Sequence, residues 1–156
     1  MSGAERRDKF GLGLHPSYKV LYLELCSALP DRWQPFWGLR TMDEQARLYA
    51  QGRTAPGAVV TQADAGYSAH NYGCASDWTI FNDLGEPQWM GAKNPAWGEY
   101  AAVCARLGLL YGGDFKSPDG YHNELSIGPT WGGVFKVFKS LGKHESDEFI
   151  RRNMIV

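Results

Sequence analysis

Cysteine and histidine are both scarce in this 156-residue chain, with three of the first and four of the second. Cys26, Cys74 and Cys104 stand far apart, form no CxxC pair and are odd in number. That excludes a disulfide framework and a thiolate metal site, and leaves the thiols as small buried hydrophobes. No apolar run approaches the roughly 18 residues of a membrane span, and the opening MSGAERRDKF lacks the apolar core of a secretory signal. The expectation is a soluble chain, made and held in the cytosol, with no membrane insertion. Neither sign of charge is in excess, 16 basic side chains against 17 acidic, and there is no basic block. Binding to nucleic acid through broad phosphate neutralisation is excluded on that ground. Repeats and low-complexity tracts are also missing, so residues 1–156 are expected to form a single domain.

What the sequence does contain is a regular succession of short elements. Residues 1–13 have no clear period and read as a loose terminus. Pro16 opens a helix that places Tyr18, Leu21, Tyr22, Leu25, Cys26 and Leu29 on one face. Gln34 to Leu39 reads as a brief strand. Thr41 with Glu44 forms a capping box for a second helix that ends at Gly52. A long loop follows to Tyr72, with a short strand expected at Val59 and Val60. Gly73 to Phe81 alternates as a strand, with Ala75, Asp77 and Thr79 on one face. Trp97 to Leu107 reads as a third helix, and Leu109 to Tyr111 as a strand. Tyr121 to Ile127 alternates again, with His122, Glu124 and Ser126 on one face. Trp131, Val134, Phe135, Phe138 and Leu141 recur at helical spacing and read as core packing. The pattern predicts an α+β fold, with helices packed on one side of a small antiparallel sheet and the functional loops on the exposed face.

The histidines carry the chemistry. The run YSAHNYGCASDW sets His70 at the end of a loop and Asp77 in a strand, with a glycine turn between them. Imidazole nitrogen and carboxylate oxygen are ligands for zinc, and a catalytic zinc keeps three protein ligands and a water. A third ligand is needed, and His122 is the other histidine within a patterned strand, with Asp119 three residues upstream in DGYHNEL. His15 precedes Pro16, where capping or plain exposure explains it. His144 lies in KHESDE, which reads as solvated surface.

The ordered pattern S-x-H-x6-D and then D-x-x-H, within GLRTMDEQARLYAQGRT, VVTQADAGYSAHNYGCASDW, GGDF and DGYHNEL, resembles the phage endolysin L-alanyl-D-glutamate peptidases. These sit in the larger group of zinc peptidases that includes the D-alanyl-D-alanine carboxypeptidases and dipeptidases. The likeness runs from about residue 38 to residue 125. It implies the zinc peptidase fold of the D-alanyl-D-alanine carboxypeptidase/hedgehog type, with Zn2+ on His70, Asp77 and His122 and with Asp119 as catalytic base. Arg53, in QGRT, resembles the family's arginine that contacts substrate or the developing oxyanion. Ser68 either hydrogen-bonds in the site or only caps its loop. Glu124 stays outside the catalytic set, and Cys74 has no assigned role.

The implied function is hydrolysis of the bond between L-alanine and D-glutamate in the peptidoglycan stem peptide. The enzyme would be a monomeric endolysin, held in the host cytoplasm until lysis and without a separate wall-binding domain. Two alternatives stand beside it. One is a D,D- or L,D-carboxypeptidase that trims terminal D-alanine; the other is a non-catalytic zinc-stabilised domain that binds the wall.

Overall fold

A computed structural model describes residues 1–155. Its architecture is α+β, a four-stranded antiparallel sheet with six helices. The first helix, α1 (Gly3–Phe10), occupies the stretch expected to be a loose terminus. Ser2 and Glu5 form a reciprocal capping box at its start, and Arg7 anchors it by donating to the carbonyls of Cys26 and Trp33 at 2.7 and 3.1 Å. The helix buries no residue of its own, so it leaves no amphipathic stripe in the sequence.

Helix α2 (Pro16–Ala28) starts at a proline, with the His15 ring accepting from the Ser17 amide. His15 is buried rather than exposed, and its other ring nitrogen meets the Asp147 carbonyl. Strand β1 (Trp33–Trp37) takes an edge of the sheet, where Pro35 is tolerated because its missing N–H faces no neighbouring strand. Its register shifts between Pro35 and Trp37, which bends the chain toward helix α3 (Met42–Ala50), entered through the Thr41–Glu44 capping box. Val59 and Val60 do not form a strand: no partner strand reaches them, and they stand exposed in the long loop.

A 3-10 turn over Ala69–Tyr72 leads through Gly73 into strand β2 (Ala75–Ile80). Gly73 has φ +67°, and a Cβ there would meet the Gly13 carbonyl at 2.7 Å, so glycine is required on both counts. Helix α4 (Ala96–Arg106), strand β3 (Leu109–Tyr111) and strand β4 (His122–Leu125) follow. The spatial order is β1-β2-β4-β3, every neighbouring pair antiparallel. The chain ends in helices α5 (Trp131–Leu141) and α6 (Lys143–Arg152), so the KHESDE stretch is helical, although His144 itself is exposed.

The core lies on one face of the sheet. Tyr18 and Tyr22 from α2 and Tyr100 from α4 pack with Trp33, Trp78 and Leu125, all fully or almost fully buried. Trp33 stacks on Tyr100 at 5.1 Å between centroids, and Tyr22 meets Trp78 at 5.6 Å. Aromatic pairs of this kind each add about 0.5–1.5 kcal/mol beyond the burial of their area. Among the described residues no helix is long and apolar enough to cross a membrane.

Candidate metal centre

The opposite face of β2 and β4 carries Asp77 and His122, which are paired across the ladder. His70 joins them from the 3-10 turn, whose first amides are capped by Ser68; the Ser68 Oγ accepts from the His70 amide at 3.4 Å. Ser68 also lines the cleft, but the hydrogen bond its hydroxyl makes is this loop cap. His70 Nε2, Asp77 Oδ1 and His122 Nδ1 then lie 3.1–3.2 Å from one another, and all three residues are buried.

The far side of each ring assigns its tautomer. His70 Nδ1 is 2.7 Å from the Gly38 carbonyl, which can only accept, so this nitrogen carries the proton. His122 Nε2 is 2.9 Å from Glu124 Oε2, so it too donates outward. Two bare imidazole lone pairs and a carboxylate oxygen therefore converge on one point, an arrangement that repels itself unless a cation or an added proton sits there. Ligands on a tetrahedral zinc with bonds of about 2.0–2.1 Å stand about 3.3 Å apart, close to the spacing seen. These residues form the one group of three or more candidate ligands found among the described residues. The donor set and its outward partners both fit a metal ion of this kind.

The electrostatics agree. Burial opposes charge on Asp77, but the two imidazoles outweigh it and hold the carboxyl far below the usual carboxylate range. Burial also opposes charge on His122, yet Asp77 and Glu124 push its pKa up to about 10. A proton on His122 thus answers the same convergence of negative charge that a metal would.

Asp119 lies on the rim of the same cleft, which has a volume of about 740 Å³. Its backbone is pinned to both neighbours: the amide donates to the Gly112 carbonyl at 2.9 Å, and the carbonyl accepts from the His122 amide at 3.2 Å. Gly112 allows that approach, since a Cβ there would come within 2.5 Å of the Asp119 carbonyl oxygen. The carboxylate meets solvent at the rim, and partial burial followed by the nearby Asp77 charge raises its pKa.

Arg53 is placed elsewhere. Its guanidinium lies over the Tyr49 ring at 4.0 Å and donates to the carbonyls of Tyr49 and Thr61 and to Gln62 Oε1. It straps its own loop and is not part of the cleft wall. The arginine in the cleft is Arg40, buried, with Nη2 3.7 Å from Asp77 Oδ2 and Nη1 donating to Gln45 Oε1 at 3.0 Å. Its Nε is buried without a partner among the described residues. Arg40 precedes a helix cap and has no periodic signature, so sequence patterning passes over it. Glu124 was visible in the alternation of β4, on the face of His122. Cys74 points into the core with its thiol pKa pushed up by burial, away from the ligands.

Comparison with known proteins bears out the resemblance to L-alanyl-D-glutamate peptidases, the relatives found being bacterial proteins. The family model described as D-alanyl-D-alanine carboxypeptidase matches residues 61–125, the segment that holds all three candidate ligands and Asp119. The chain is 40% identical over 95 residues to the peptidoglycan L-alanyl-D-glutamate endopeptidase CwlK of Bacillus subtilis. That match covers 56% of this chain and 57% of the relative, so the chain aligns with little more than half of that protein. The fold is similar to the crystal structure of the Serratia marcescens L-Ala D-Glu endopeptidase ChiX, with a TM-score of 0.52 and 23% identity over 81% of this chain and 90% of that one.

Proposed function

We propose that the chain is a zinc-dependent peptidase that hydrolyses the L-alanyl–D-glutamate bond of the peptidoglycan stem peptide. The observation that carries this reading is the convergence of His70 Nε2, Asp77 Oδ1 and His122 Nδ1 in a cleft shared with Asp119. The bond assignment is supported by the similarity to CwlK, whose name states that specificity.

His70, Asp77 and His122 would hold the zinc, which with two neutral imidazoles and one carboxylate as ligands would keep net positive charge and supply Lewis-acid polarisation of a carbonyl and a lowered pKa for water. The chain's own groups supply the rest. Asp119, on the rim of the cleft beside the candidate ligands, takes the proton of the attacking water and later delivers it to the leaving amine. Arg40 offers a fixed cation beside Asp77, suited to holding a substrate carboxylate or a developing oxyanion. The loop strapped by Arg53 contributes Val59, Val60, Thr61 and Gln62 as one wall of the cleft.

Digestion of purified peptidoglycan with mass analysis of the products, with and without a chelator, tests this. New L-alanine carboxyl ends and D-glutamate amino ends, absent under chelation, are expected. The family model's description favours a second reading, terminal D-alanine removal. Release of free D-alanine with no internal cleavage would establish it in place of the first. A non-catalytic zinc domain is disfavoured by Asp119, since a structural site needs no proton acceptor. We further propose that the activity serves lysis of a host cell from its cytoplasm. Expression in bacteria with and without a membrane-permeabilising partner tests that role, lysis being expected only with the partner.

A further inference from the structure

Trp131 reaches the metal centre from outside the segment that matches the peptidase family, which ends at residue 125. It touches both ligand-bearing elements. Its Nε1 donates to Glu124 Oε1 at 2.9 Å, while Glu124 Oε2 accepts from His122 Nε2 at 2.9 Å. Its ring stacks on Tyr72 at 5.7 Å with planes 13° apart, and Tyr72 belongs to the same 3-10 turn as His70. Each carboxylate oxygen of Glu124 therefore has its own donor, and the group cannot rotate without breaking one contact. The rest of the C-terminal hairpin is fastened around this point. Phe138 meets the Tyr72 ring edge-on, the Asp147 carbonyl meets His15, and the Ile155 amide donates to the Ser126 carbonyl at 2.9 Å.

We propose that Glu124 is a positioning residue for the metal ligand His122, and that Trp131 couples metal binding to the docking of the α5–α6 hairpin. This rests on the metal reading above. Glu124 fixes which nitrogen of His122 faces the metal and adds electron density to the ring, and Trp131 fixes Glu124. Because coupling is reciprocal, a bound metal must hold the hairpin as firmly as the hairpin favours the metal.

The test uses the full chain, freed of metal by dialysis and titrated with zinc against a chromophoric chelator. Amide hydrogen exchange is followed over 131–152. Glu124→Gln replaces one acceptor oxygen with a donor that faces either His122 or Trp131, and Glu124→Ala removes both acceptors. Each is expected to weaken zinc binding roughly 10- to 100-fold. Trp131→Phe keeps an aromatic ring against Tyr72 but loses the indole N–H along with part of the stacked area, and is expected to weaken zinc binding about 3- to 10-fold, the weight of one hydrogen bond. Zinc should slow exchange in α5–α6 of the parent protein and leave it unchanged in Glu124→Ala. A merely structural role for Glu124 would lower stability without altering this zinc dependence. Zinc affinity unchanged in both Glu124→Gln and Trp131→Phe, or hairpin exchange indifferent to zinc in the parent, overturns the proposal. Failure of the parent to bind zinc at all overturns the metal reading itself and this coupling with it.

Discussion

Strands β2 and β4 present two polar pairs, Ser76 opposite Asn123 and Asp77 opposite His122, adjacent in the ladder and on opposite faces. On the inner face every group is answered from within the fold. Tyr18 Oη lies 2.6 Å from both Ser76 Oγ and Asn123 Oδ1, Asn123 Nδ2 donates to Tyr100 Oη, and Trp78 Nε1 donates to Ser76 Oγ. On the outer face the acceptors point at one another, with the ring protons turned away toward Gly38 and Glu124. A closed polar network specifies and stiffens a core, whereas an open one of like character invites a ligand. The same two strands thus give a scaffold on one side and a candidate metal site on the other, one residue apart in sequence.

The comparison can be broken most sharply on its outer side. His70→Ala or His122→Ala should abolish stoichiometric zinc binding, read by metal analysis after dialysis, and with it peptidoglycan hydrolysis. Retained zinc in either variant would mean that the convergence is no metal site. Asp119→Asn should keep zinc and lower turnover about 10²- to 10⁴-fold, the range for a positioned acid–base group; loss of zinc instead would make Asp119 a ligand. Arg40→Ala should keep zinc and lower turnover about 10²-fold if Arg40 stabilises developing charge. Arg53→Ala, as a loop strap, should change mainly KM. The opposite ranking would restore Arg53 to the role its sequence context implied. Mildest for the chemistry is the inner face. Asn123→Ala leaves the Tyr18, Ser76 and Tyr100 hydroxyls short of a partner. It should lower stability by about 1–3 kcal/mol in chemical denaturation while leaving zinc affinity nearly unchanged.

Asp77 and His122 were legible as candidates because alternation in a strand is a strictly local signal, whereas the full set with His70 and the role of Asp119 came from the family resemblance. Period two places Asp77 and His122 on a face whatever packs above it, and the glycine turn before β2 is written in the chain. Helix α1 was missed although Ser2 and Glu5 spelled its capping box, because it has no apolar stripe and is held by Arg7 on distant carbonyls. The expected strand at Val59 and Val60 failed for a related reason: β propensity has no expression without a partner edge. The two arginines show the limit most clearly. Arg53 follows a helix end in a motif-like run, yet its donors are taken by nearby loop carbonyls and Gln62. Arg40 gives no local sign and enters the cleft only because β1 bends at its register shift and the Arg40 amide bonds to the His70 carbonyl.

By itself the sequence determined the α+β succession of elements, the three candidate ligands with the acid beside them, and the inert, unpaired state of its cysteines. These follow from spacing and side-chain chemistry, which the chain carries locally. Tertiary structure alone decided that Arg40 and not Arg53 stands in the cleft, which nitrogen of each histidine faces inward, and that Glu124 and Trp131 tie the C-terminal hairpin to the same centre. Those depend on contacts between residues far apart in the chain, whose geometry is set only when the sheet closes and the loops are pinned over its open face.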